Sequence, residues 1–90
     1  MNELKQRALK AISEANITAA ISHMENMGIN CNSFFMRYSH YTAIQEKVRS
    51  EKRTYTAKEA EIQSEKFRLL AWDMIQAVNG TNKPMPEYLK

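Results

Sequence analysis

His23, Cys31 and His40 are the side chains that would first suggest a metal or a nucleophile. Their spacing supports neither. The histidines stand seventeen positions apart with the cysteine between them, a pattern that matches no common zinc spacing. A nucleophilic Cys31 needs a base beside it, and no neighbour in the sequence supplies one. Gly28 and Gly80, the only glycines, are fifty-two positions apart and cannot build a phosphate-cradling loop. The carboxylates are scattered along charged stretches. No catalytic, cofactor-binding or metal-binding residue emerges, and an enzyme is not expected. A single cysteine also excludes an internal disulfide, which fits a reducing compartment.

The elements that carry these residues read as helices. Residues 1–79 hold one glycine and no proline, too few turn formers for a β-meander. Leu4, Ala8, Ala11, Ile12 and Ala15 fall within an arc of roughly 100° on a helical wheel. Ile17, Ala20, Ile21, Met24 and Met27 lie on nearly the opposite side. A phase jump of that size predicts two helices, 3–15 and 17–27, with Asn16 capping the second and Gly28 ending it. Phe34, Tyr38, Tyr41, Ile44 and Val48 follow at spacings of 4, 3, 3 and 4. These predict helices over 32–38 and 40–53 with a break near Ser39-His40.

Thr56-Ala57-Lys58-Glu59 matches a capping box, with Tyr55 and Ala60 at the hydrophobic-staple positions. A helix over 57–79 follows, with Ala60, Phe67, Ala71, Met74, Ile75 and Val78 on one stripe and Asn79-Gly80 as its stop. Leu69 and Trp72 fall on the far side. Either a dimer face or a core wrapped on both sides would account for them. Residues 81–90 carry both prolines and predict an extended tail with Tyr88 and Leu89 as anchors. The fold class is therefore all-α: a small domain of four to five helices over residues 1–80, with a long C-terminal helix and a tail.

Residues 27–44, Met-Gly-Ile-Asn-Cys-Asn-Ser-Phe-Phe-Met-Arg-Tyr-Ser-His-Tyr-Thr-Ala-Ile, resemble the turn and recognition helix of the tetracycline-repressor family of helix-turn-helix proteins. Gly28 matches that family's turn glycine, Ile29 the apolar residue after it and Asn30 the serine cap. Asn32-Ser33 match its Gly-Thr pair, Phe34-Phe35 its Phe-Tyr pair, Arg37 its His, Tyr38 its Phe and Ile44 its Leu. Tyr41 stands where the family has a phosphate-binding lysine. The resemblance implies a helix-turn-helix-like core in which Phe34 is buried. Asn30, Asn32, Ser33, Arg37 and Tyr41 would then face double-stranded DNA. Arg37 is the foremost candidate contact, because a guanidinium bonds bidentately to guanine or clamps a phosphate.

Charge bears on the same question. Thirteen Lys and Arg against ten Asp and Glu give a net charge of +3. That mild basic excess permits a nucleic-acid partner without requiring one. Segment 17–44 contains one arginine and no lysine; the basic residues Lys47, Arg49, Lys52 and Arg53 come later and would add sequence-independent attraction to DNA phosphates. Two functions follow. The first is a dimeric DNA-binding regulator of transcription that uses Leu69 and Trp72 between its copies. The second is a helical protein-interaction module, an inhibitor or adaptor with one protein target and no nucleic-acid role. Its binding surface would be Leu69 and Trp72 or the methionines Met24, Met27 and Met36. No apolar run reaches the roughly 18 residues of a membrane span. A cytoplasmic location without a membrane partner is expected.

Overall fold

Asn16 separates two helices. The structure, a computed structural model, describes residues 3–89; Met1, Asn2 and Lys90 of the expected domain and tail lie outside the described residues. Helix α1 spans Glu3–Ser13 and α2 spans Ile17–Asn26, and the Asn16 side chain accepts from the Ala19 amide at 3.2 Å. Between them Ala15 takes a left-handed φ of 61° and is exposed. The apolar stripe of α1 thus ends at Ile12, two turns' worth of packing being completed by Ala8 and Ala11, and the helix stops at Ser13 rather than at 15.

Helix α3 spans Asn32–Ser50 and α4 spans Ala57–Asn79. The break expected near Ser39-His40 is absent: one continuous helix runs through the expected 32–38 and 40–53 segments and stops at Ser50, three residues short of the expected end, where Lys52 turns left-handed. The 4-3-3-4 spacing from Phe34 to Val48 is a single face of one helix, and no Gly or Pro interrupts it. The Thr42 hydroxyl bonds the Ser39 carbonyl at 3.1 Å within the intact helix.

All four helices end in the same way. In each, the amide after a left-handed residue reaches back to a carbonyl five positions earlier: Asn16 to Ala11, Ile29 to Met24, Arg53 to Val48 and Thr81 to Gln76. The left-handed residues are Ala15, Gly28, Lys52 and Gly80. These are Schellman closures, which satisfy carbonyls that the helix leaves without partners. At Gly28 and Gly80 the conformation needs no side chain to be accommodated. At Ala15 and Lys52 it costs about 1–2 kcal/mol.

The core lies at one end of the molecule. Ala8, Ala11 and Ile12 meet Ile17, Ala20, Ile21 and Met24, and Leu70, Met74 and Val78 of α4 close the cluster with Cys31. Phe34 and Tyr38 pack at its margin, half-buried. The inward line of α4 is centred on Leu70 and Met74, a slightly different strip from the expected one; Ala60 is exposed. Helices α3 and α4 run antiparallel, Arg37 meeting Asp73 beside the core, and the first half of α4 continues with α3 as an arm in which Tyr41 meets both Phe67 and Gln63. The molecule is accordingly elongated, 45 × 29 × 20 Å, with a radius of gyration of 14.1 Å. A globule of this length has about 12 Å.

The tail folds back on α4. The Gln76 carboxamide oxygen accepts from the Thr81 hydroxyl and from the Lys83 amide, and the Trp72 indole donates to the Lys83 carbonyl at 2.7 Å. A single 3-10 turn, Glu87–Leu89, follows. Tyr88 is 84% exposed and anchors nothing.

Candidate functional site

The α2–turn–α3 unit begins from a well-specified corner. Gly28 turns the chain, Ile29 packs on the core, and the Asn30 carboxamide accepts from the Asn32 amide at 3.0 Å in an Asx turn; the cap position of α3 falls on Cys31, which makes no side-chain capping bond, rather than on Asn30. Asn30, Asn32 and Ser33 are exposed there. Cys31 points the other way: its buried thiol donates to the Ile29 carbonyl at 3.5 Å. Burial, and then the nearby Glu25 charge, push its pKa up, so the thiol stays protonated.

The other residues named for DNA separate into different environments. Arg37 is half-buried and donates through Nη1 to Asp73 Oδ2 at 2.9 Å, tying α3 to α4. Tyr41 lies inside the arm, stacked on Tyr38 with ring centroids 6.1 Å apart and tilted against Phe67 at 5.5 Å. Burial raises the Tyr41 pKa, so its hydroxyl remains neutral. Arg49 pairs with Glu46 at 2.9 Å. Arg53 holds Glu59 through two nitrogens, at 2.7 and 3.1 Å, and Glu51 through Nε at 2.6 Å. Lys47 and Lys52 are exposed and have no ion-pair partner among the described residues.

A continuous α3 also spreads these groups. Asn30–Ser33 sit at its first turn and Lys47–Arg53 at its last, about 20–30 Å apart along the axis. They form two separate patches. Leu69 and Trp72, the expected interface pair, are each half-buried within this chain. Trp72 is held by the tail, and beside it Phe67, Ala71, Ile75, Met85 and Leu89 line a shallow apolar recess of about 290 Å³. Leu69 lines a different recess, of about 200 Å³, with Arg37, His40 and Tyr41 of α3 and Lys66 and Leu70 of α4.

That second recess went unnoticed in the sequence because its two walls are far apart in the chain. It becomes readable once the arm is known to be antiparallel. Arg37, His40 and Tyr41 on α3 and Lys66, Leu69 and Leu70 on α4 have the same i, i+3, i+4 spacing and face each other. Two further residues were missed, Gln63 and Asp73. Gln63 is buried and donates to the Tyr41 carbonyl and the Tyr55 hydroxyl, leaving its Oε1 without a partner among the described residues.

Among the described residues no three His, Cys, Asp or Glu side chains gather as a metal site would require, and no helix is long and apolar enough to cross a membrane. No protein family, curated protein or solved structure matches the chain.

Proposed function

We propose that this chain is a small helical protein-interaction module. The observation that carries the reading is the disposition of charge and apolar surface on α3. All three arginines on α3 and the turn after it, Arg37, Arg49 and Arg53, are ion-paired within the chain. Meanwhile Phe35 and Met36 stand consecutively in solvent, 61% and 59% exposed. A duplex-binding surface does the reverse: it presents cations to phosphate and keeps its aromatics inside. Aromatic and methionine side chains set out on a surface suit a protein partner, which gains by burying them.

A second reading, a dimeric DNA-binding regulator, keeps some support from the exposed Asn30, Asn32 and Ser33 beside a sharp glycine turn and from the unpaired Lys47 and Lys52. The two are separated by titrating random duplex DNA at about 50 and 200 mM salt with wild type and Arg37→Ala. The interaction module gives no salt-dependent retardation and forms a stoichiometric protein complex that Phe35→Asp abolishes. Retardation that weakens steeply with salt and with loss of Arg37 would restore the regulator.

A further inference from the structure

The α3–α4 recess gathers three basic side chains over an apolar floor, where the tail recess carries Arg68 alone. Its floor is Leu70, 2% exposed, flanked by the half-buried Tyr41 and Leu69. Its rim is Arg37, His40 and Lys66, and no acidic side chain lines it. Asp73 lies just outside and takes one guanidinium nitrogen of Arg37. That bond fixes the position of Arg37 at the rim and leaves the remaining guanidinium N–H groups without partners among the described residues. Lys66 has no ion-pair partner among the described residues either.

We propose that this recess is the docking site for an acidic, aliphatic-anchored segment of a partner polypeptide. The segment's carboxylate is received by Lys66, the rim cation without an ion-pair partner among the described residues, and its neighbouring aliphatic side chain rests on Leu69 and Leu70. The inference rests on the protein-interaction reading and names the partner's chemistry. Charge complementarity selects the carboxylate. The volume of about 200 Å³ selects the rest, since it holds one or two side chains and falls below the roughly 300–1,000 Å³ of small-molecule pockets. An apolar floor argues against a duplex backbone, which would bring only phosphates and sugars to Leu69 and Leu70. Met36 stands one turn before His40 on the same side of α3, so the exposed apolar surface runs into the recess.

The test uses a fluorescein-labelled peptide of alternating leucine and glutamate, its leucine–glutamine counterpart, and a duplex DNA, read by anisotropy on the full chain. The glutamate peptide is expected to saturate the protein, and the glutamine peptide to bind about tenfold more weakly, the equivalent of one lost charge-assisted hydrogen bond. Lys66→Glu is expected to weaken glutamate-peptide binding by about tenfold or more. Lys47→Glu, at the far end of α3, is expected to leave it unchanged. Lys66 is exposed, so circular dichroism should report an unaltered fold in that variant.

Equal binding of the two peptides would overturn the site, as would equal losses from Lys47→Glu and Lys66→Glu, which would mean diffuse attraction. If neither peptide binds while Phe35→Asp still abolishes a protein complex, the recess fails and the module stands. If duplex DNA binds and displaces the peptide, both readings fail together.

Discussion

At one end of α4, Leu70 and Met74 are buried among Ala8, Ile17 and Met24 of the first two helices. At the other end, the matching inward position is occupied by Gln63. The two ends share their terminations but not their filling. The compact end buries Ile, Met, Leu and Ala against one another. The arm has Val48 as its one buried aliphatic among the described residues, and otherwise relies on half-buried rings, a carboxamide bonded to Tyr41 and Tyr55, and Arg53 clamped on Glu51 and Glu59. Burial of apolar area is non-directional and cooperative, whereas caps and exposed ion pairs act locally and are screened by salt. The arm is therefore expected to open first, as a local unit.

The largest expected effect tests that division directly. Met74→Ala removes a fully buried side chain from the core that α4 shares with α1 and α2, and should cost about 2–5 kcal/mol in a urea titration. Val48→Ala should cost about 1–2 kcal/mol, at the rate of about 0.8 per buried methylene. Amide exchange in α1 and α2 should stay protected in the Val48 variant and be lost in the Met74 variant. Equal exchange patterns would mean that the arm and the compact end form one cooperative unit.

Capping chemistry gives the next step down. The Thr56 hydroxyl accepts from the Glu59 amide at 3.1 Å while the Glu59 carboxylate accepts from the Thr56 amide at 2.9 Å. Thr56→Ala should lower stability by about 1 kcal/mol, read as a drop in melting midpoint. Asn16→Ala removes a single bond at the compact end, where packing holds both helices, and should cost less. A larger loss at Asn16 would show that the α1–α2 corner depends on its cap more than on its apolar contacts.

How much of this was readable in the sequence follows the same division. The apolar phase jump at Asn16, the turn at Gly28, the Thr56 capping box and the stop at Gly80 are local signals, and each is found where the sequence put it. The end of α3 was misjudged because Lys52, unlike Gly28 and Gly80, advertises no left-handed turn. Leu70 was left off the α4 stripe, and Gln63, Asp73 and the α3–α4 recess were not found. Their roles depend on which residues of α3 stand opposite them, and register between helices is a tertiary property. Trp72 was read as standing opposite the α4 stripe; it shares a recess with the stripe residues Phe67, Ala71 and Ile75, and the tail that reaches it is positioned by Gln76, whose buried carboxamide no local pattern announces.

Lys52 supplies a sharper contrast of smaller size. Lys52→Gly relieves a left-handed strain at the tip of the arm, and Ala15→Gly relieves the same strain between α1 and α2. Glycine also gives the unfolded chain more freedom, which offsets part of the gain, so each should stabilise by about 0.5–1 kcal/mol. Thermal melts of both variants decide the point. The exchange rates locate it: Lys52→Gly should slow opening of the arm alone. A destabilised Lys52→Gly would show that the lysine side chain makes up for its backbone strain.

The smallest effect separates the two ends by pH. Arg53, bonded to the Glu59 carboxylate, and then the Thr56 amide lower the Glu59 pKa from 4.5 to about 2. A depressed carboxylate pKa means that the ionised form is favoured in the folded arm. Its contribution is complete above about pH 4.5 and is lost as pH falls toward about 2. About a third of each side chain of the pair is open to solvent, which screens it, so the change should appear as faster amide exchange over residues 53–60 and leave global unfolding nearly unmoved. Glu59→Gln keeps a side chain able to complete the capping box but cannot pair with Arg53 as an anion. In that variant the acid-dependent part of the exchange should disappear while protection around Leu70 and Met74 matches wild type. A carboxyl carbon titration of Glu59 with its midpoint near the ordinary 4.5 would show that the Arg53 clamp does not persist in solution. Residues 53–60 would then open at the same rate across the acid range, held by Thr56 and the Lys52 turn alone.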